Sequence, residues 1–409
     1  GQQFFLSRDG TTLAIKTEAR DILELLAYFG RQHSGLRTPF PLPAGGVGYL
    51  VYEYCARFDT IRLRPKPDPL AIPEACFLFG NLFLVFDHYT DTISLVGLNY
   101  REKAIDLEKA LDQAEARLND LDFNFMAERG RPPAPAALER NGERESFLRG
   151  VEALRGEIIK GNLLQGVLSR RLEVATDLPA IEAYRSLRSF NPSPYMFFLD
   201  FSDFQLFGAS PEVHVKVKEE RALMRPLAGT RRRGATTAED RALEQELLAD
   251  EKERAEHLML VDLARNDLGR VCRPGSVEVT ELMAVERYSH VMHLVSQVEG
   301  LLAEGASGLE ALRATFPAGT VSGAPKIRAI ETVDALEPEA RSFYAGAVGY
   351  LEADGSLDSC IGIRAALKKN GRMVLQAGAG VVYDSIPERE YEETQNKLGA
   401  LLQAIGLEV

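Results

Sequence analysis

The sequence predicts an α+β fold in which antiparallel sheets predominate, on three observations. Strand-like segments occur in runs, whereas a doubly wound parallel fold would alternate single strands with helices. The segments between these runs repeat apolar residues at three- and four-residue steps, which is typical of amphipathic helices. The 409 residues are 45% hydrophobic, which is enough for the packed core of one large domain or two.

The first part of the chain contains a short helix, several strands and a longer helix. Residues 21–30 have helical spacing. Segments rich in β-branched and aromatic residues predict several strands between 46 and 100. Residues 101–121 repeat Ala and Leu on one face of a helix and charged residues on the other, so this stretch is a predicted amphipathic helix.

A proline-rich segment divides the chain. Residues 128–143 (ERGRPPAPAALERNGE) combine Pro, Ala and charge in a way that cannot build a core. We therefore predict three parts: an N-terminal scaffold or regulatory part at 1–127, a linker at 128–143, and a longer C-terminal part at 144–409.

The C-terminal part alternates runs of strands with helices. A helix is predicted at 144–162, followed by strand segments at 163–175, 194–201, 204–209 and 212–218. The stretch 236–267 contains no Pro or Gly and predicts one long helix. Further strands are predicted at 343–352, 357–367 and 372–383, and a last helix begins near Pro387, where a first-turn proline is tolerated.

Composition excludes several classes of protein. The chain has 48 Lys and Arg against 60 Asp and Glu, a formal net charge of −12, which argues against a nucleic-acid binder. Four widely separated cysteines form no C-x-x-C pair and indicate reduced thiols. No apolar run approaches the ~18 residues that span a bilayer, and the first residues do not resemble a signal peptide. We expect a cytoplasmic protein with no membrane partner.

Two pairs of glutamates could hold a metal ion. Glu253 with Glu256, and Glu390 with Glu393, have i, i+3 spacing, so both members of a pair project from one face of a predicted helix. If the two helices faced each other, four carboxylates would suit a hard cation such as Mg²⁺. Acidic pairs at this spacing are also common on solvated helix surfaces, and spacing alone does not exclude that interpretation.

Other polar residues are candidates for binding and acid–base chemistry. Glycine-rich stretches at 226–234, 316–326 and 376–382 could present backbone N–H groups to anions, although none matches a P-loop or dinucleotide fingerprint. His290 and His293 could be metal ligands, an acid–base pair or structural histidines. Glu212 follows a proline between strand segments, a position from which a carboxylate can act as a general acid.

A dense series of motifs resembles the chorismate-utilising enzymes, and within them most closely the large subunits (component I) of anthranilate synthases. The motifs cover nearly the whole chain in the family's order: GNLLQGVLSRR, NPSPYMFFLD, GASPE, PLAGTRRRG, DEKERAEHLMLVDLARNDLGRV, RYSHVMHLVSQVEG, FPAGTVSGAPKIRAIE, YAGAVGY, CIGIRAAL and QAGAGVVYDSIPEREYEETQNK. The resemblance implies two large antiparallel β-sheets packed as a sandwich and flanked by helices, with 144–409 as the chorismate-binding catalytic part.

The resemblance also implies roles for individual residues. Glu256 and Glu393 would bind Mg²⁺, and Glu253 and Glu390 would hold metal-bound waters. Substrate would be bound by Gly229, Thr230, Tyr344, Arg364, Gly378, Gly380 and Lys397. Arg364 and Tyr344 would hold the pyruvyl carboxylate of chorismate, the arginine through its bidentate fork. The catalytic set would be Glu212 as general acid, His293 and Thr320 in the elimination step, and Gln165.

The implied reaction adds ammonia to chorismate and then eliminates pyruvate to give anthranilate, a step of tryptophan biosynthesis and a lyase reaction. A glutamine amidotransferase subunit (component II) would supply the ammonia, because no Cys-His-Glu amidotransferase set is recognisable in this chain. The expected assembly is therefore a hetero-oligomer. The family's water-adding members carry a lysine where this chain has Gln165, and its C4-aminating members carry one where this chain has Ala228.

Regulation and two further functions stay open at this point. In the family, the segment Pro192, Ser193, Pro194, Tyr195 and Met196 contacts inhibitory tryptophan. The second motif of that site, Leu-Leu-Glu-Ser, does not occur near the N-terminus, where 23–26 reads Leu-Glu-Leu-Leu. One alternative is a sister enzyme that stops at 2-amino-2-deoxyisochorismate. The other is a regulatory subunit that only binds chorismate or tryptophan.

Overall fold

The computed structural model describes residues 3–8, 10–101, 105–120, 137–141, 144–288 and 291–407. The chain divides into two compact units. The small unit comprises Gly1–Gly48, Phe77–Arg129 and Tyr350–Leu357, and the large unit comprises Tyr49–Cys76, Gly130–Gly349 and Asp358–Val409. No helix in the described ranges is both long enough and apolar enough to cross a membrane.

The strands are numbered in chain order. They are β1 (Phe4–Arg8), β2 (Thr11–Ile15), β3 (Val47–Leu50), β4 (Ala75–Leu78), β5 (Leu82–Asp87), β6 (Thr92–Gly97), β7 (Ala137–Asn141), β8 (Gln165–Ala175), β9 (Tyr195–Asp200), β10 (Gln205–Ser210), β11 (Val213–Lys218), β12 (Arg221–Met224), β13 (Leu227–Arg232), β14 (Glu278–Arg287), β15 (Val291–Leu301), β16 (Gly323–Ala324), β17 (Ala347–Leu351), β18 (Leu357–Ile361), β19 (Ala365–Lys369) and β20 (Arg372–Val381).

The helices are numbered in the same way. They are α1 (Ile22–Arg31), α2 (Cys55–Phe58), α3 (Leu107–Leu118), α4 (Arg144–Ile159), α5 (Ala180–Phe190), α6 (Thr237–Ala249), α7 (Glu251–Gly269), α8 (Gly308–Thr315), α9 (Lys326–Leu336) and α10 (Pro387–Ala404). Short 3₁₀ turns lie at Tyr52–Tyr54 and Gly319–Val321.

In its described residues, the small unit contains two hairpins, formed by β1 with β2 and by β5 with β6, and the helices α1 and α3. The antiparallel pairs are β1–β2 and β5–β6. Helix α1 begins at the N-cap Asp21, whose side chain accepts hydrogen bonds from the backbone N–H groups of Leu23 and Glu24. A small apolar cluster is centred on Leu42, Ala44 and Leu98.

The first sheet of the large unit has helices on one face. Its order is β16-β8-β20-β19-β10-β9, and β7 also pairs with β8. On β8 and β20, alternate residues such as Leu172 and Leu375 pack in the same apolar cluster as α5 and α10. The residues between them, which include Gln165, Gly378 and Gly380, face the opposite side of the sheet, because side chains alternate along a strand. One face of the sheet is therefore apolar and covered by helices, and the other carries polar side chains and glycines.

The second sheet of the large unit has the order β13-β15-β12-β11-β18-β17, and β14 pairs with β15. This order continues to residues 49–50 of β3 and 75–76 of β4. Helices α6, α7 and α8 pack against it. Two short passages connect the two sheets directly, from β10 to β11 and from β18 to β19. Each passage is short, so residues of the two sheets come close together at these points.

The structure confirms the predicted α+β class, with large antiparallel sheets and flanking helices. It also corrects two sequence predictions. The single helix predicted at 236–267 is two helices, because Asp250 has extended backbone (ψ 109°) and caps α7. The single strand predicted at 357–367 is β18 and β19, which belong to different sheets.

The domain boundaries remain a prediction. Residues 137–141 of the predicted linker form β7 and pair with β8, and the other linker residues lie outside the described ranges, as does His290. The small unit takes in 350–357 from the C-terminal part of the chain, so the compact units are discontinuous in sequence.

Candidate functional site

The two passages between the sheets of the large unit carry Glu212 and Arg364. Glu212 lies between β10 and β11, and its carbonyl oxygen accepts a hydrogen bond from the Ile361 N–H (3.1 Å). Arg364 lies between β18 and β19, and its carbonyl oxygen accepts from the Ala209 N–H (3.0 Å). Arg364 has a left-handed φ of 51°, an uncommon conformation for a non-glycine residue. The two passages are thus hydrogen-bonded to each other's neighbouring strands.

Glu212 is a buried carboxyl, with 5% of its surface exposed. Burial raises its pKa to about 8, because the charged form loses hydration. The Thr320 hydroxyl, the Leu227 N–H and the positive charges of Arg364 and Lys397 partly offset this shift. Glu212 is therefore protonated at neutral pH and can donate a proton.

Arg364 is a cation placed to receive an anion. Within the described residues its guanidinium has no hydrogen-bond or salt-bridge partner, although its backbone carbonyl is bonded to the Ala209 N–H. Burial lowers its pKa, and Tyr344, Glu393 and Glu212 partly offset this shift. An arginine remains charged even so. A guanidinium held in the protein without a partner is suited to bind a carboxylate in bidentate fashion.

Tyr344 and Gly378 lie beside each other. A Cβ atom on Gly378 would lie 2.9 Å from the Tyr344 hydroxyl oxygen and 2.8 Å from the Leu168 carbonyl oxygen. Only glycine fits this position on β20. Tyr344 is buried, and burial raises its pKa to about 12, so its hydroxyl is a neutral hydrogen-bond donor.

His293 is held by a bulge in β13. Gly229 interrupts the pairing of β13 with β15 and has a left-handed φ of 66°, which glycine adopts without strain. His293 Nδ1 lies 3.1 Å from the Gly229 carbonyl oxygen and 3.0 Å from Thr230 Oγ1. Because a carbonyl can only accept, we assign the proton to Nδ1, which leaves Nε2 with a lone pair. Burial lowers the His293 pKa to about 4, so the ring is neutral.

One of the two α7 glutamates, Glu256, contacts Gln165 at the start of β8. Gln165 Nε2 donates to Glu256 Oε1 (2.9 Å). Burial raises the pKa of Glu256, and the negative charges of Glu253 and Glu393 raise it further. A Cβ on Gly380 would lie 2.7 Å from Gln165 Nε2 and 3.5 Å from Glu256 Oε1, so this glycine leaves room for both side chains.

The α10 glutamates interact with Lys397. Lys397 Nζ lies 2.5 Å from Glu393 Oε1 and donates to the Gly378 carbonyl oxygen (2.8 Å). Burial raises the pKa of Glu390 to about 7, and the charge of Glu393 adds to this, while the Ser385 hydroxyl lowers it. Lys397 therefore already neutralises part of the acidic group, and its charge also acts on Glu212 and Glu256.

The residues present have the chemistry of a divalent-cation site. They supply carboxylate oxygens, which hard cations prefer. The charges of Glu253 and Glu393 disfavour ionisation of Glu256, and a cation would relieve this repulsion. The buried Oε1 of Gln165 has no hydrogen-bond partner. In the part of the chain that the structure describes, no three His, Cys, Asp or Glu side chains are already grouped closely enough to hold a metal.

The 192–196 segment lies at the edge of the first sheet. Residues 192–194 precede β9, and Tyr195 and Met196 begin it, paired with Ser210 and Ala209. The Tyr195 hydroxyl donates to Asp358 Oδ1 (2.8 Å), while Met196 packs against the apolar cluster under α5 and α10. The segment thus lies next to the strand that leads to Glu212.

Arg231 is a residue of the site that sequence reasoning missed. It donates to Glu246 Oε1 (2.9 Å), to Asp250 Oδ2 (2.8 Å) and to Glu253 Oε1 (3.0 Å). It therefore ties β13 to the end of α6 and the start of α7. The sequence feature that could have indicated this role is the run of three arginines at 231–233, which directly follows Gly229 and Thr230 and precedes an acidic helix.

Comparisons with known proteins agree on one family. Residues 5–403 match the family described as chorismate binding enzyme. The chain is 62% identical to anthranilate synthase component 1 of Spirochaeta aurantia over 411 residues, which cover 100% of this chain and 85% of that protein. It is 43% identical to anthranilate synthase component 1 of Pseudomonas aeruginosa, over 99% of this chain and 84% of that protein.

A solved structure has the same fold. Anthranilate synthase component I from Streptococcus pneumoniae TIGR4 superposes with a TM-score of 0.84 at 37% sequence identity, covering 97% of this chain and 89% of that one. Agreement over nearly all of both chains means that the sheets and helices described above occur in the same arrangement in that protein.

Proposed function

The chain belongs to the chorismate binding enzyme family, and we propose that it converts chorismate and ammonia to anthranilate and pyruvate, the reaction of an anthranilate synthase large subunit. The observation that best supports this proposal is that the two short passages between the sheets carry a buried, protonated carboxyl, Glu212, and a guanidinium without a partner in the described residues, Arg364. Chorismate has two carboxylates, which require a cation for binding, and its hydroxyl is a poor leaving group, which requires a proton donor. The close relatives of the chain bear the name of this activity.

Substrate binding depends on local positive charge. Chorismate carries two carboxylates, and a protein of net charge −12 repels it at long range. Arg364 and the Tyr344 hydroxyl would bind the pyruvyl carboxylate, with Gly378 allowing close approach of the β20 backbone. Lys397, Gly229, Thr230 and Gly380 would complete the substrate contacts.

The first half of the reaction requires a proton donor. Ammonia attacks C2 of the ring as the hydroxyl on C4 departs, and hydroxide is a poor leaving group. Glu212 would give its proton to that oxygen so that water leaves. A carboxyl whose pKa is raised to about 8 by burial is still protonated at neutral pH, as this role requires.

The second half requires a base. Elimination removes the proton from C2 and breaks the bond between C3 and the enolpyruvyl oxygen, which leaves an aromatic ring and pyruvate. His293 is neutral, and Nε2 carries the lone pair because Nδ1 donates to the Gly229 carbonyl. We assign removal of this proton to His293, with the Thr320 hydroxyl assisting beside Glu212.

The choice of nucleophile agrees with Gln165. A lysine base at this position, as the resemblance assigns to water-adding enzymes, would activate water. The Gln165 amide is neutral and hydrogen-bonded to Glu256, so it cannot act as a base. Ammonia needs no such activation, because its lone pair is available.

A magnesium ion is part of this proposal. Glu256 and Glu393 would hold it, while Glu253 and Glu390 would orient its waters. When bound, Mg²⁺ supplies positive charge for the ring carboxylate of chorismate. We further propose that the reaction is of the lyase class, that a glutamine amidotransferase subunit supplies ammonia within a hetero-oligomer, and that the enzyme acts in the cytoplasm.

Product identity tests the function. The purified chain is incubated with chorismate and Mg²⁺, with ammonium in one sample and glutamine in another, and products are identified by mass and fluorescence. Anthranilate with ammonium alone supports the proposal and the need for a separate glutaminase. An aminated product that retains pyruvate would indicate the sister activity. Chorismate binding without turnover would indicate a regulatory subunit.

Tryptophan regulation is a separate proposal for the segment Pro192, Ser193, Pro194, Tyr195 and Met196. Its position at the edge of the first sheet, next to the strand that ends at Ser210, would couple an inhibitor to Glu212 two residues further on. Added tryptophan should then raise the chorismate KM, and Met196→Ala should weaken the inhibition. No inhibition at saturating tryptophan would rule the site out.

A further inference from the structure

Arg341 is a buried cation to which the proposed reaction assigns no task. Only 1% of its surface is exposed, and it lies at the start of the turn at 341–346, which carries Tyr344 between α9 and β17. Burying a guanidinium removes it from water, which costs free energy unless its N–H groups find partners in the protein. The partners of Arg341 therefore show which segments this charge holds together.

The Arg341 guanidinium joins three separate segments of the large unit. Nε and Nη2 donate to the two carboxylate oxygens of Glu337 at the end of α9 (2.8 and 2.7 Å). Nη1 donates to the Val321 carbonyl oxygen of a 3₁₀ turn (2.8 Å), and Nη2 also donates to the Val167 carbonyl oxygen on β8. Four of the five N–H donors of an arginine are thus used within the protein.

Glu337 is in turn fixed to the first sheet. Its Oε1 accepts from the backbone N–H and from the hydroxyl of Ser169 (2.8 and 2.7 Å). The Ser169 hydroxyl oxygen also accepts from Gln376 Nε2 on β20 (2.8 Å). Ser169 is paired with Gly378, the glycine that lies beside the Tyr344 hydroxyl. The ion pair of Arg341 and Glu337 is therefore anchored to the strands that the Tyr344 hydroxyl reaches.

The turn that begins at Arg341 has a strained backbone. Ser342 and Ala345 have left-handed φ values of 58° and 61°, which are uncommon for residues other than glycine. Such conformations persist only where the surrounding structure enforces them, and they are concentrated at functional sites. Glu53 enforces the start of this turn, because its carboxylate accepts from the N–H groups of Arg341 (2.7 Å) and Ser342 (3.1 Å). The strained residues flank Tyr344 in sequence.

Arg341 contacts both the backbone and the ring of Tyr344. The Tyr344 N–H donates to the Arg341 carbonyl oxygen (3.3 Å). The Arg341 Cζ atom lies 5.7 Å from the centre of the Tyr344 ring and 4.5 Å from that of the Tyr52 ring. Both distances are within the range of a cation–π attraction. Arg341 thus restrains the direction of the Tyr344 side chain from two sides of the same turn, its backbone and its guanidinium.

We propose that Arg341 is a positioning residue, which holds the strained turn against β8 and so directs the Tyr344 hydroxyl toward the substrate carboxylate before chorismate binds. A group that is already ordered binds its ligand more tightly, because binding does not have to order it. The proposal rests on the assignment of Tyr344 to the pyruvyl carboxylate in the proposed function. Arg341 acts through Tyr344, since its own donors are occupied by the protein.

Replacing the guanidinium tests this role. Arg341→Lys keeps a charge for Glu337 but lacks the planar fork that reaches several acceptors at once. We expect the Kd of chorismate, measured by calorimetry without ammonium, and the chorismate KM to rise at least about 10-fold, the effect of losing one hydrogen bond to a charged group. We expect kcat to change little, because Glu212 and His293 are intact.

The control for Arg341→Lys is Arg273→Lys. Arg273 also donates to a carbonyl oxygen, that of Leu302 (2.9 Å), and to a carboxylate, that of Glu220 (3.1 Å), but it is half exposed. This variant should bind and turn over chorismate as wild type does. A purely structural role of Arg341 would lower the folded fraction, and hence kcat per chain, while leaving KM unchanged, and that result would overturn the proposal.

A double-mutant cycle with Tyr344 shows whether Arg341 acts through this residue. Tyr344→Phe removes the hydroxyl and should itself weaken chorismate binding. In that background Arg341→Lys should weaken binding little further, because the hydroxyl that it positions is already absent. If the two changes are instead fully additive, Arg341 does not act through Tyr344.

Glu53→Gln keeps the test decisive if Arg341→Lys does not fold. It exchanges the carboxylate that holds the turn for an amide of similar size, with one acceptor oxygen in place of two. We expect the chorismate Kd to rise about 2- to 10-fold, and an unchanged Kd in the folded variant would overturn the proposal. These failures are distinct from failure of the proposed function, in which the wild-type chain itself makes no anthranilate.

Discussion

At the residue scale, burial gives two ionisable groups opposite shifts that suit opposite tasks. It raises the pKa of Glu212 to about 8 and lowers that of His293 to about 4. In both cases the neutral form is favoured because it loses less on leaving water. At neutral pH the carboxyl can therefore donate a proton and the imidazole can accept one. Titratable groups whose pKa values are moved apart in this way are a common feature of acid–base sites.

These shifts predict the pH dependence of turnover. At a constant concentration of free ammonia, kcat should be flat at neutral pH and should fall as the pH rises through about 8, because Glu212 loses its proton. It should also fall as the pH drops toward about 4, because His293 gains one. The measurement is a kcat profile by anthranilate fluorescence. A profile that stays flat well above pH 9, about a unit beyond the Glu212 pKa, would exclude Glu212 as the donor.

Removing the imidazole should separate the two halves of the reaction. With His293→Ala, amination can still proceed because Glu212 is intact, but elimination loses its base. We expect anthranilate formation to slow by about 10²–10⁴-fold and an aminated product that retains the pyruvyl group to accumulate, as detected by mass. His88→Ala, at an exposed position, is the matched control. Normal anthranilate formation without an intermediate would contradict the role of His293.

At the element scale, local backbone features set where the site residues point. The break at Asp250 separates α6 from α7, and the Asp250 side chain caps α7 by accepting from the N–H groups of Lys252 and Glu253. Arg231 binds both Asp250 and Glu253. The start of α7 is therefore attached to β13, two residues from Gly229. A continuous helix over 236–267 could not have this junction.

Two glycines, one on a strand and one on a helix, give a test of close packing. Gly378→Ala would place a methyl group within 2.9 Å of the Tyr344 hydroxyl and 2.8 Å of the Leu168 carbonyl. Because the carbonyl belongs to a paired strand and cannot move aside, we expect a clear loss of activity and a lower unfolding temperature. Gly156→Ala, in α4 with no atom nearby, should instead be neutral or stabilising by about 0.5–1 kcal/mol. Equal behaviour of the two variants would disprove the steric account.

At the scale of the large unit, the fold brings carboxylates from two helices that are distant in sequence into electrostatic range of one another, in a protein that is already acidic. The charge of Glu393 on α10 raises the pKa of Glu256 on α7. Lys397 is a partial counterion for this group. Such an arrangement stores electrostatic repulsion that a divalent cation would reduce.

Magnesium binding should therefore depend on both helices. Glu256→Gln and Glu393→Gln should each weaken Mg²⁺ binding at least about 10-fold. Losses of this size in metal affinity follow even from mutating residues that only hydrogen-bond to a metal ligand. Calorimetric titration of the protein without substrate measures this directly. Glu388→Gln, an exposed change in the first turn of α10, should bind as wild type does. Unchanged affinity in Glu256→Gln would remove the metal role from this residue.

Much of this molecule could be predicted from sequence because its elements are locally encoded. The spacing of Glu253 and Glu256, the first-turn Pro387 and the strand composition around Gln165 follow from helix and strand geometry. The break at Asp250 and the division of 357–367 between two sheets could not be predicted, because neither contains a proline and each depends on contacts with residues distant in sequence.

The sequence by itself determined the fold class, the locally encoded helices and strands, and the residue types available for chemistry. Only the tertiary structure decided which of these side chains meet and in what protonation state. Arg231 reaches Glu253, and Gln165 reaches Glu256, because the folded chain places these side chains within about 3 Å of each other. Periodicity is a property of neighbouring residues, whereas desolvation and charge coupling act through space and depend on which segments pack together.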